Sequence, residues 1–227
     1  MNKEQIEKYL QVNPFEQLSN IVYNLIVEDI AYCNIMPGKK INISQIAQDL
    51  NISRTPVREA LMKLSQLGFI KMHNKSYYVS EFTPNDIVNI YYVRSMLESK
   101  ATFLCAQSKK FPYIDQLKKL ADDFSEATDY EKITDLDFKF HTILISQCGN
   151  EHLIDCYKLL ENKFITLQRR NLKLLLREKI MPKIGSISTQ HNSIVNSIYL
   201  NMPELAEKEM QNHINSGLVH ALLFANK

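Results

Sequence analysis

Tryptophan is absent from this 227-residue chain, and glycine occurs only five times. With so few breakers, long stretches run uninterrupted, which favours a mostly helical protein with one small β element. The four cysteines (Cys33, Cys105, Cys148 and Cys156) stand far apart and form no Cys-x-x-Cys pair. That argues against a zinc knuckle or redox motif and fits free thiols in a reducing compartment. No apolar run approaches the length of a membrane span, and Met1 to Leu10 lacks the apolar core of a signal peptide. A cytoplasmic protein with no membrane partner is expected. A strong excess of one charge is missing too, the formal net charge being +2.

The charge is nevertheless uneven. Between Lys39 and Ser80 stand Lys39, Lys40, Arg54, Arg58, Lys63, Lys71 and Lys75 against only Asp49 and Glu59. From Glu81 onward basic and acidic residues balance, at 18 each. A confined basic patch is the electrostatic footprint of phosphate binding, the alternative being an ordinary solvated surface.

Apolar periodicity and turn residues predict helices over residues 3–10 and 15–33, with Met36-Pro37-Gly38 ending the second. Ser44 is read as the N-cap of a short helix over 45–50, and Ser53 as the cap of one running to Gln66. Phe69–Met72 and Tyr77–Ser80 read as strands joined by the turn His73-Asn74-Lys75-Ser76. That order is a winged helix-turn-helix, with a β-hairpin wing, over residues 1–80. Residues 81–227 read as an all-α bundle, opened by Thr83, Pro84 and Asp86 and divided into helices near 84–108, 112–127, 130–147, 150–177, 184–200 and 203–224.

The helix from Ser53 splits into two faces. Val57, Leu61 and Leu64 recur at i, i+4 and i+7, while Ser53, Arg54, Thr55 and Arg58 crowd its first turns. A recognition helix needs this split, an apolar stripe for docking and N-terminal donors for base edges and phosphates. An amphipathic surface helix with two incidental arginines has the same spacing. In the second domain, Asp137 and His141 share a helix face, and His191 and His213 lie on two later helices, 22 residues apart. Three imidazoles and a carboxylate suit zinc first, with nickel, manganese or iron as alternatives, provided the side chains converge. His73, His152 and His220 are histidines outside that set.

The run from Ile46 to Leu64, centred on Ser53-Arg54-Thr55-Pro56-Val57-Arg58-Glu59-Ala60-Leu61, resembles the signature of the GntR family of regulators. The second half is similar to the FCD-type ligand-binding domain of the FadR branch. Val93 to Glu98 with Ala101 resembles its opening helix, Asp137-Phe138-Lys139-Phe140-His141 its D-x-x-F-H motif, and Gln190-His191 with Ala206, Met210 and His213 its closing pattern. The resemblance implies that Arg54 and Arg58 contact DNA with Ser53 and Thr55 close by, that the wing at Asn74 and Lys75 reaches the minor groove, and that Asp137, His141, His191 and His213 hold a divalent transition metal. Ser44 is placed with the DNA contacts. Two positions depart from the pattern. The wing turn lacks its glycine, and Gln190 replaces a glutamate that would add negative charge behind the metal.

A small carboxylate effector is expected at the open metal positions, with Arg94 as its second contact or as the i+4 partner of Glu98. A single helix-turn-helix rarely gives useful affinity alone, so a homodimer is expected, its two-fold symmetry matching a palindromic operator. The expected function is therefore a metabolite-responsive, sequence-specific DNA-binding regulator. A regulator answering to the metal itself is the alternative. An enzyme is disfavoured, because no general base accompanies the ligand motifs and no Glu-x-x-His pair is present.

Overall fold

The computed structural model describes residues 1–32, 34–127, 129–177 and 184–223. Two compact units emerge, Met1–Phe82 and Thr83–Lys227. The readings that involve Cys33, Met181-Pro182 and the chain beyond 223 lie outside the described residues.

The first unit comprises α1 (Lys3–Val12), α2 (Leu18–Ala31), β1 (Lys40–Ile41), α3 (Ile43–Asp49), α4 (Arg54–Gln66), β2 (Ile70–His73) and β3 (Ser76–Val79). Its core joins Leu25 and Ile26 of α2 to Val57, Leu61 and Leu64 of α4 and to Ile70 and Val79 of the sheet. The α4 stripe expected from spacing is fully buried, each side chain contributing roughly 1.5–3 kcal/mol by leaving water. Helix α2 starts at Leu18 rather than Phe15, whose side chain is exposed.

Two helix ends position α4. Asn51, at φ 54°, sits past the end of α3. Its N–H donates to Gln48 O at 3.1 Å, and the Ile52 N–H donates to Ala47 O at 3.0 Å. This pair of bonds is a Schellman motif with asparagine in the left-handed place that glycine usually takes. Gly68, at φ 77°, closes α4 in the same way, through Gly68 to Ser65 and Phe69 to Leu64. The N-cap of α3 differs from expectation. Asn42, not Ser44, fills it, its Oδ1 accepting from the N–H of Ser44 and Gln45 at 3.0 and 3.2 Å. The chain turns into the helix two residues earlier than the serine suggests, and asparagine is an equally good cap. Ser53 occupies the N-cap of α4 but makes no side-chain capping bond there.

The sheet has antiparallel order β1-β3-β2. Strand β1, two residues pairing Lys40 with Tyr78 and Ile41 with Tyr77, is an addition to the two strands read from sequence. In the hairpin His73 faces Ser76, so the loop is Asn74-Lys75 alone. Both residues have positive φ, 47° and 60°, as a type I′ turn requires. The missing glycine is thus replaced by two left-handed residues rather than by a wider loop.

The second unit is all helical: α5 (Pro84–Gln107), α6 (Ile114–Glu126), α7 (Tyr130–Ser146), α8 (Glu151–Arg177), α9 (Ile184–Tyr199) and α10 (Pro203–Leu222). A capping box starts α5: the Asp86 N–H donates to Thr83 Oγ1 at 3.1 Å and the Thr83 N–H donates to Asp86 Oδ2 at 3.0 Å. Helix α10 packs chiefly on α5 and then on α9, and α7 packs on α5, α6 and α8. Asn201, at φ 53°, closes α9 with a third Schellman pair, to Ile198 and Ser197, and sends α10 back alongside it. That return brings His191 and His213 to one level, their ring centroids 4.8 Å apart.

Candidate functional site

Helix α7 places Asp137 and His141 one turn apart on its buried face, α9 contributes His191 and α10 contributes His213. One ligand-type atom from each of the four lies within 4.8 Å of all the others. His141 Nε2 is 3.1 Å from His213 Nε2. Asp137 Oδ2 is 3.7 Å from His141 Nε2, and Asp137 Oδ1 is 3.1 Å from His191 Nε2. The last distance is short, yet both ring nitrogens of His191 are buried without a well-aligned hydrogen-bond partner. An unsatisfied buried nitrogen costs about 1–3 kcal/mol, and the facing Nε2 atoms of His141 and His213 bring lone pairs together when each ring carries its proton on Nδ1. Such a convergence of buried donor atoms fits a cation at its centre.

The surroundings fix the protonation that a cation needs. Burial, then mutual repulsion with the other imidazoles, pushes His213 well below its ordinary value; burial foremost also lowers His191. Both are therefore neutral imidazoles. Burial would raise Asp137, but the imidazoles around it hold its carboxyl well below the usual carboxylate range. The Gln168 amide nitrogen donates to Asp137 Oδ2. Phe140 stacks on the His191 ring at 4.2 Å, and Phe124 meets its edge at 5.1 Å, so the cluster has a dry wall.

Behind the cluster lies Glu98, which sequence reasoning saw only as a neighbour of Arg94. Its Oε2 is 2.5 Å from His141 Nδ1, and its Oε1 accepts from Arg94 Nε at 2.7 Å. The Tyr157 hydroxyl also bonds to it. Burial alone would raise Glu98; Arg94 and His141 outweigh it and hold the carboxyl at about 2. A carboxylate beside Nδ1 keeps the proton there and turns the His141 Nε2 lone pair toward the cluster. Arg94 is accordingly paired at i+4 with Glu98, and it also lines the cavity described next. No pattern of spacing could have revealed the Glu98–His141 contact, because the two residues meet only through the packing of α5 on α7.

Gln190 does more than its lack of charge suggests. Its Oε1 lies 2.9 Å from His213 Nδ1, where an amide oxygen accepts as a carboxylate would. A cavity of about 90 Å³ opens beside the cluster, with Tyr91, Arg94, Asp137, Gln168, Gln190 and His213 in its wall.

In the first unit Ser44, Ser53, Arg54, Thr55 and Arg58 lie on the outer surface, as do Asn74 and Lys75 at the wing tip. The two arginines stand on the exposed side of a helix whose other side is core.

A winged helix-turn-helix, followed by a helical unit in which one aspartate and three histidines cluster out of solvent, defines the class: a DNA-binding regulator with a second, helical domain. Residues 18–76 match the model of the bacterial regulatory proteins of the gntR family, and residues 89–216 match the FCD domain. The chain belongs to the GntR family of transcription regulators, with an FCD domain at its C-terminal side. It is 24% identical over 220 residues to the HTH-type transcriptional repressor RspR of Escherichia coli, covering 90% of this chain and 89% of that one. It is 25% identical over 196 residues to a probable D-xylose utilization operon transcriptional repressor of Paenarthrobacter nicotinovorans, covering 85% and 84%. Among solved structures, E. coli McbR/YncC shares the fold at TM-score 0.78 and 18% identity, over 93% of this chain and 100% of that chain. Among the described residues no helix is long and apolar enough to cross a membrane.

Proposed function

We propose that this regulator binds a palindromic operator as a homodimer and that a small carboxylate, held at a metal in the FCD domain, controls that binding. The observation that carries the reading is the buried convergence of Asp137, His141, His191 and His213 next to a cavity. These four hold the metal, zinc first among candidates, with nickel, manganese or iron suited to the same donors. When bound, the metal supplies a positive centre with open positions for a carboxylate oxygen. Arg94 offers the guanidinium donors that Glu98 leaves over. Relatives named as repressors support a repressor.

On the DNA side, Arg54 and Arg58 read guanine edges while Ser53, Thr55 and Ser44 bond phosphates; Asn74 and Lys75 carry the wing into the minor groove. The test is fluorescence anisotropy with a palindromic operator from the promoter next to the gene. Arg54→Ala and Arg58→Ala are each expected to cost about 1–3 kcal/mol in operator affinity. Unchanged binding by both variants would sink the assignment.

A further inference from the structure

Two glutamines line the cavity, and they are oriented differently. Gln168 spends its amide nitrogen on Asp137. Gln190, one residue before His191 on α9, engages through its oxygen, 2.9 Å from His213 Nδ1. His213 Nε2 is turned into the cluster, 3.1 Å from His141 Nε2. An imidazole whose Nε2 lone pair serves a metal carries its proton on Nδ1, so that N–H donates to the Gln190 oxygen. An amide has two ends. The oxygen being engaged with His213, the amide nitrogen is the end of Gln190 that remains to meet a ligand, and Gln190 forms part of the cavity wall.

A glutamate at this position would also accept from His213. Its second oxygen, however, would present a negative acceptor to the cavity, on a wall that already carries Asp137. Glutamine presents two neutral donors instead. We propose that Gln190 is a specificity-determining residue of the pocket, donating from Nε2 to the carboxylate of the effector. The same side chain thereby ties the effector to His213, one member of the cluster. This inference rests on the metal-and-carboxylate reading of the cavity and adds to it the group that selects an anion.

The test uses full-length protein loaded with Co2+, whose visible absorption reports changes in coordination, and acetate as the probe. Wild type, Gln190→Glu and Gln190→Met are titrated with acetate at saturating Co2+. Gln190→Glu keeps the acceptor for His213 and is expected to hold Co2+ as tightly as wild type or tighter, yet to bind acetate at least about ten-fold more weakly. Gln190→Met removes the donor, and with it the acceptor for His213, without adding charge, so its acetate titration is read only at a Co2+ occupancy equal to wild type. It is expected to weaken acetate by a similar factor, where simple repulsion by the glutamate would leave the methionine variant at the wild-type value. Wild-type acetate affinity in Gln190→Met overturns the inference while leaving the metal reading intact. A wild-type protein that takes up no Co2+, or takes it up and shows no response to acetate, overturns both.

Discussion

Glu98 is 1% exposed and serves three partners at once: the Arg94 guanidinium, the His141 ring and the Tyr157 hydroxyl. Removing one member of a buried ion pair leaves the other charge uncompensated, which costs more than the pair contributes. Glu98→Ala is therefore expected to lower the unfolding free energy of the metal-free protein by about 3–5 kcal/mol, and the double variant Arg94→Leu/Glu98→Leu by much less. Urea denaturation measures both. A loss below about 1 kcal/mol in Glu98→Ala would show that the buried pair carries no such penalty. The four clustered residues are legible in the sequence, Asp137 and His141 from their helical spacing and all four from the family resemblance. Glu98 is legible only as a helix neighbour of Arg94, because its contact with His141 spans two helices. Gln190 stands out in the sequence for the charge it lacks, whereas its hydrogen-bonding shape is what the packing uses.

At the scale of elements, asparagine replaces glycine at several of the chain's tight corners. Asn51 sets the turn between α3 and α4, Asn201 the corner between α9 and α10, and Asn74 with Lys75 the wing. Asparagine tolerates the left-handed region because its short side chain bonds locally, while lysine has no such compensation. Lys75→Gly is accordingly expected to stabilise the protein by about 1 kcal/mol and, by removing a cation from the wing, to reduce the salt dependence of operator binding by about one phosphate contact. Thermal unfolding and a salt titration of anisotropy read the two effects. A destabilised variant would contradict the left-handed wing. Helix existence and order follow well from periodicity and from Pro and Gly punctuation, as with the Thr83-Pro84-Asp86 start of α5. Strand β1 escapes because two residues offer no period to read; it exists only through pairing with β3. The α3 cap falls on Asn42 rather than Ser44 because both residue types cap equally well and only the backbone path decides between them.

For the whole molecule, the two units carry separate chemistry: an exposed basic helix in residues 1–82 and a buried ligand cluster in 83–227. The proposed control requires that occupancy of the second change the affinity of the first for DNA, and a ligand shifts such an equilibrium only by its differential affinity for the two states. All of this depends on the cluster holding a metal. The most direct measurement is the metal content of untagged protein, by mass spectrometry, after incubation with zinc, nickel, manganese and iron and removal of the excess. The account predicts about one equivalent per chain in wild type, and less than about a tenth in Asp137→Asn and His191→Ala with their helical circular dichroism unchanged. Wild-type protein retaining less than about a tenth of an equivalent of any of the four metals would contradict it.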